Sequence, residues 1–265
     1  VGQDLSMRPL TRVFNLEEWR EEELGDFVRK KQKLQLDIAK AKKAKREASR
    51  LDLARYYFSL GFAAETKAVL RLVEEDRPAI KDDPEFRAMR GASNFLMGRF
   101  GEAASDLGDA SLNGNDEADF WRAALSAEAG NLAGAASTLK RTGGVIRPYP
   151  KALKMPLGLL VTNAAIAVGD IKQAAHQLEV LGIERPTPAQ ASQLAYAQGR
   201  LAELSGNFDE AVAKWEEVED GTHRPSRAKA TVARTELLLK LRNITPAEAI
   251  DELEKLRFAW RGDDF

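Results

Sequence analysis

The chain has 265 residues, 31% charged and 44% hydrophobic, with 40 Lys and Arg against 41 Asp and Glu for a net charge of −1. That balance excludes a whole-molecule attraction to nucleic acid or anionic membrane, and the absence of cysteine excludes disulfides, thiolate metal sites and cysteine nucleophiles. No apolar run approaches the roughly 18 to 20 residues that span a bilayer, and the opening VGQDLSMRPL lacks the apolar stretch of a signal peptide. Abundant Ala and Leu with few aromatics suit a soluble, mostly helical protein. The chain starts with Val, as a processed product or an excised segment would.

Residues 1–50 read as a charged N-terminal segment. "NLEEWREEELGD" at 15–26 is acidic, whereas 29–50 carries ten Lys or Arg against Asp37 and Glu47. Without Pro or Gly, 29–50 has high helix propensity. Phe27, Leu34, Ile38, Ala41 and Ala48 form a partial coiled-coil seam interrupted by Lys31 and Lys45. Such a helix packs its narrow stripe on the first repeat or on a copy of itself. The alternative is a basic helix on phosphates or anionic lipid, which the preceding acidic stretch and the lack of interleaved aromatics disfavour.

From residue 51 to 265 one pattern recurs: Gly, an apolar residue two later, Ala five later and a large apolar residue nine later. Gly98, Phe100, Ala103 and Leu107 show it, as do Gly130, Leu132, Ala135 and Leu139, Gly169, Ile171, Ala174 and Leu178, and Gly206, Phe208, Ala211 and Trp215. An earlier copy has Gly61, Ala63 and Leu70 with Thr66 in the Ala slot; a last one keeps Ala249 and Leu253 but replaces the glycine by a loop before Thr245 and Pro246. Thr245, Pro246 and Glu248 read as an N-cap, first helical residue and capping box. The anchor spacings are 37, 32, 39 and 37, then 38 to the position near Ile244. They predict helix A, a tight turn at the glycine, and helix B, with Ala211 and Gly199 letting backbones approach while Phe208 and Trp215 fill the space around them.

These residues resemble the tetratricopeptide repeat family, whose motif has small residues at its eighth and twentieth positions, glycine at the fifteenth and bulky residues at the seventeenth and twenty-fourth. Gly199, Ala211, Gly206, Phe208 and Trp215 fill those slots, and Gly91, Ala103, Gly98, Phe100 and Leu107 fill them again. Pro78 falls where the family often closes a repeat. The copies around Ala123 and Thr162 depart at the eighth position. The resemblance covers roughly 48–260 and implies an all-α, right-handed α-solenoid of about six helical hairpins preceded by a charged helix.

It also implies a concave surface lined by helix A. Counting from each eighth position puts Arg55, Phe58, Phe95, Glu128, Asn163, Ile166, Tyr196, Arg200, Arg234 and Leu238 on that face. Of the lysine and asparagine clamp of chaperone-binding members only Asn163 resembles a part, and the nearby slots hold Glu128, Phe120 and Leu159, so an extended or helical peptide making apolar and arginine-assisted contacts fits better.

Other motifs carry no chemistry. His176 and His223 lack metal-ligand spacing and read as exposed, "KDDPE" at 81–85 and "NGNDEAD" at 113–119 read as turns and helix starts, and no phosphate loop or nucleophile–base pair occurs. "RGD" at 261–263 is three residues at a helix end. The expectation is a non-catalytic scaffold binding a protein or peptide partner, with no catalytic residue, cofactor, metal or small-molecule substrate. Two readings stay beside it: a framework domain of a larger cell-envelope enzyme, and a nucleic-acid or membrane tether through 29–50. Ile250, Leu253, Leu256, Phe258 and Trp260 near the end suggest truncation of a longer array and, with the N-terminal helix, routes to homo-oligomerisation. Resemblance to bacterial multi-repeat proteins places the envelope or periplasm ahead of the cytoplasm.

Overall fold

The structure is a computed structural model that describes residues 8–20, 27–183 and 185–259. Among these residues there are α-helices and short 3-10 turns and no strand. After the single turn α1 (Leu16–Trp19) come α2 (Phe27–Lys40) and α3 (Lys43–Ser59); α3 pairs with α4 (Ala63–Asp76). The next pairs are α5 (Pro84–Leu96) with α6 (Phe100–Leu107), α7 (Asp116–Glu128) with α8 (Leu132–Thr142), and α9 (Lys151–Ala167) with α10 (Ile171–Gly182). α11 (Pro188–Leu204) with α12 (Phe208–Glu219) and α13 (Arg224–Lys240) with α14 (Pro246–Ala259) complete the series. Two compact units, Val1–Leu157 and Gly158–Phe265, divide the chain inside α9.

Every pair closes by the same chemistry. At the second turn Gly98 N–H donates to Phe95 O at 2.9 Å and Arg99 N–H to Asn94 O at 2.8 Å, the double closure that satisfies the last carbonyls of a helix and needs a left-handed residue. Gly61, Gly130, Gly169 and Gly206 repeat both bonds, each with φ between 71° and 90°. The glycines expected to hinge the hairpins therefore do so.

The sixth turn differs from expectation. Its left-handed residue is Arg242, with φ 62°, and Arg242 N–H donates to Leu239 O while Asn243 N–H donates to Leu238 O. Two extra residues, Asn243 and Ile244, then precede Thr245. The capping box is present: Thr245 N–H donates to Glu248 Oε2 at 2.7 Å and Glu248 N–H to Thr245 Oγ1 at 3.3 Å.

Small-against-large packing joins the members of a pair. A Cβ at Gly91 would stand 2.7 Å from Leu107 Cγ, and one at Gly199 would stand 2.7 Å from Trp215 Cδ1. Neither Leu107 nor Trp215 keeps any exposed surface, and each such burial contributes about 1.5–3 kcal/mol. Ala103, Ala135, Ala174, Ala211 and Ala249 are all buried. Thr66 fits among them because its hydroxyl, fully buried, donates to Phe62 O at 2.7 Å. The bulky residue at the start of helix B is less enclosed than expected: Phe100 is 43% and Ile171 40% exposed, although Phe100 still meets Phe95 of its partner helix edge-on at 5.7 Å. In the last pair Leu253 is 37% and Ile250 57% exposed, where Leu107 and Leu139 are covered.

The charged helix expected over 29–50 is broken. α2 ends at Lys40, Ala41 and Lys42 are non-helical, and α3 runs through residue 50. α2 folds back antiparallel on α3, so that Phe27 stacks on Tyr56 at 6.1 Å and meets Phe62 edge-on at 5.5 Å. A continuous rod would leave that stripe in water. Phe27, Leu34, Ile38 and Ala41 are half-buried, whereas Ala48 is exposed. Residues 21–26 of the acidic stretch, Trp260 and the 261–263 triplet lie outside the described residues.

Candidate functional site

In the first unit, residues 8–19 lie across α3 and α7. Asn115 caps α7, accepting from Glu117 N–H at 3.0 Å and Ala118 N–H at 3.1 Å. The next two side chains, Asp116 and Glu117, are each only 1% exposed. Helix starts favour carboxylates, but buried ones must be satisfied by donors, and here the chain's own N-terminal segment supplies them.

Asp116 accepts from both sides. Arg8 Nη2 lies 2.9 and 2.8 Å from its two oxygens, Arg141 Nη1 donates to Oδ1 at 2.6 Å, and Thr11 donates its N–H at 2.9 Å and its hydroxyl at 3.0 Å to Oδ2. The Thr11 hydroxyl also accepts from Asp116 N–H at 2.7 Å. Burial of the Asp116 carboxylate opposes ionisation but is outweighed by the Thr11 bonds and by Arg8 and Arg141, and its pKa falls below the ordinary value.

Glu117 grips main chain. Its Oε2 accepts from Val13 N–H at 2.7 Å and Phe14 N–H at 2.8 Å, and Oε1 accepts from Tyr149 OH at 2.8 Å. Trp121 Nε1–H donates in turn to Tyr149 OH at 3.1 Å. Burial raises the Glu117 pKa despite these bonds, and burial, with the neighbouring carboxylate, raises Tyr149 well above its ordinary value.

Apolar anchors complete the seat. Phe14, 3% exposed, meets Phe58 edge-on at 4.6 Å; Leu16 is 2% exposed. Arg55 holds its guanidinium over Trp19 at 5.7 Å. Arg12 donates to Val145 O at 2.6 Å and Gly144 O at 3.3 Å. With their lone pairs filled, the two carboxylates are suited to holding a peptide main chain and its basic and hydroxyl side chains.

The ten residues projected onto one face fare unequally. In the first unit Arg55 is half-buried, bonded to Glu85 at 2.6 Å and Asp52 at 3.2 Å. Phe58 is 0% and Phe95 8% exposed. Both are corrected to core positions, because Phe14 covers the first and Trp121 meets the second edge-on at 5.4 Å. Glu128 is exposed. In the second unit Asn163 and Arg200 are exposed; Ile166, Tyr196, Arg234 and Leu238 are half-buried. Arg234 donates to Glu219 at 2.9 Å, and Tyr196 packs on the cluster around Trp215.

Asp116, Glu117, Tyr149, Arg141 and Phe14 were not among the projected residues. The only local signal was "NDE", a cap followed by two acids, which also describes an ordinary exposed helix start. His223 is half-buried rather than exposed, its Nδ1 2.8 Å from Ser226 Oγ; His176 is exposed.

A second opening, about 540 Å³, lies among Lys67, Arg71, Glu74, Arg90, Asn94 and Asp106. Its central charge is spent internally: Arg90 binds Asp106 at 2.9 and 2.7 Å and Glu74 at 2.8 Å. Among the described residues no group of three His, Asp or Glu is placed to hold a metal ion, and no helix is long and apolar enough to cross a membrane. No protein-family model matches the chain, and no curated protein is significantly similar to it.

Proposed function

We propose that the chain is a tetratricopeptide-like, right-handed α-solenoid that works as a non-catalytic scaffold, holding a partner polypeptide against the surface formed by the first helices of its hairpins. The observation that carries this reading is the seat of residues 8–16: a peptide, non-helical as far as Asn15, held on α3 and α7 through its Val13 and Phe14 N–H groups and an aromatic anchor. Main-chain capture with side-chain anchors is how peptide-binding domains combine affinity with selectivity. Recurrent hairpin closure, down to the substitute Arg242, supports the repeat reading. Repeats that contact mainly their neighbours give long surfaces of this kind.

The test uses the second unit, where Tyr196 and Arg200 share α11. Affinity capture with cross-linking from the native cell identifies the partner, and the double variant Tyr196→Ala, Arg200→Ala should lose it. Trp215 Nε1–H bonds the main-chain carbonyl of Tyr196 at 3.3 Å, which the truncation leaves in place, so helicity should be unchanged. Undiminished capture by the folded double variant would refute the scaffold reading of this face.

A further inference from the structure

We infer that residues 8–16 are the built-in occupant of a peptide-recognition site on the first unit, and that the site's ligand is a partner segment of the same chemistry: Arg, a hydroxyl residue three later, Arg next, and an aromatic two beyond. This rests on the scaffold reading and specifies its ligand and its regulation.

Each element of that pattern has its own receptor group. The position of Arg8 is read by Asp116, that of Thr11 by Asp116 through both hydroxyl and amide, and that of Arg12 by the carbonyls of Gly144 and Val145. Phe14 is read by Phe58. The amides of residues 13 and 14 go to Glu117 whatever their side chains. The receptor side has bonds of its own that do not pass through the segment: Glu117 is oriented by Tyr149, which Trp121 bonds in turn, and Asp116 is oriented by Arg141 from α8. The occupant is far less integrated. Arg8, Thr11 and Arg12 are exposed, and only Phe14 and Leu16 are buried between residues 8 and 20. With the segment in place the oxygens that Thr11, Val13 and Phe14 reach are shut off from water and need those donors, and a partner segment can supply the same ones. A tethered occupant competes at an effective concentration in the millimolar range, so the site is closed to weak ligands and open to a matching one.

The chain has no cysteine, which makes a reversible lock straightforward. A Cβ at Gly144 would stand 3.0 Å from Leu10 Cδ1, so the two side chains are in contact and Leu10→Cys with Gly144→Cys is the pair for the lock, its closure checked by the loss of free thiols on oxidation. The probe is the fluorescein-labelled peptide RPLTRVFNL, residues 8–16, titrated by anisotropy against the full chain. Replacing Arg8, Thr11 and Phe14 by Ala in the protein should tighten binding by about 10-fold or more. The oxidised lock should abolish binding and reduction should restore it, and a peptide with the same three alanines should not bind. Equal binding by oxidised and reduced lock, no binding to the triple-alanine protein, or equal binding of the substituted peptide would each overturn the inference. So would a stable dimer of the wild-type chain in sedimentation, with one copy's segment filling the other's site. If these fail while capture still depends on Tyr196 and Arg200, the scaffold reading stands without the built-in occupant; if that dependence fails too, both readings go.

Discussion

The hairpin turns allow a test with opposite signs in two successive turns. Gly206 has φ 80° and Arg242 φ 62°, and both close a helix by the same pair of bonds in the second unit. A Cβ at Gly206 meets nothing within 4 Å, so Gly206→Ala carries no packing cost and isolates backbone strain. An L-residue in the left-handed region costs roughly 1–2 kcal/mol, and the smaller unfolded-state entropy of Ala returns about 0.4–1 kcal/mol. The net is a loss of about 1 kcal/mol. Arg242→Gly runs the sum backwards and should gain up to about 1 kcal/mol. Gly182 supplies the control: its Cβ also meets nothing, but its φ is not left-handed, so Gly182→Ala should be neutral or gain a few tenths of a kcal/mol. With an m-value of about 1–3 kcal/mol/M, urea unfolding followed by far-UV circular dichroism should show midpoint shifts of roughly 0.3–1 M, down for Gly206→Ala and up for Arg242→Gly. A neutral Gly206→Ala, or a destabilised Arg242→Gly, would refute the assignment of the sixth turn as a glycine turn made without glycine.

Gly199→Ala should cost about 1–3 kcal/mol by overpacking, because the new methyl meets Trp215, which has no exposed surface into which to retreat; a shifted Trp emission with unchanged stability would contradict the close helix approach. The buried carboxylates give opposite pH slopes. Asp116 sits below its ordinary value of 3.8, so its contribution is present above that pH and is lost as pH falls through the lowered pKa; Glu117 sits above its ordinary value of 4.5, so its contribution is greatest below 4.5 and falls as pH rises through the raised pKa. Urea midpoints measured from acid to neutral pH should lose the acid-side decline in Asp116→Asn and the opposing slope in Glu117→Gln; unchanged slopes in both variants would mean that neither carboxylate is held as described.

What could be read in advance was what local sterics decide. Glycines at a regular interval mark left-handed turns, and the pairing of Gly91 with Leu107 or Gly199 with Trp215 follows from helical spacing alone. Misplaced features depend on distant partners. Counting along their helices puts Phe58 and Phe95 on the open face, but Phe14 and Trp121 cover them. Asp116 and Glu117 are written like any exposed helix start, and what covers them comes from residues 103 to 108 positions earlier and 25 to 32 positions later. The break at Ala41 and Lys42 carries no Pro or Gly and follows from α2 finding a surface on α3. Arg242 lacks a signal for the same kind of reason: strain at one residue is tolerated when the packing of both helices demands the turn.

The long span between Phe14 and Glu117 also has a temporal meaning. A ribosome extends a chain at about 5–20 residues per second, so the N-terminal portion emerges on the order of ten seconds before the carboxylate that accepts its amides has been made, and Tyr149 follows 32 residues later still. During that interval the Val13 and Phe14 amides have no carboxylate to meet, so this segment settles only after the helix that holds it has been made. Nascent-chain factors therefore meet residues 8–16 in a form the finished protein hides.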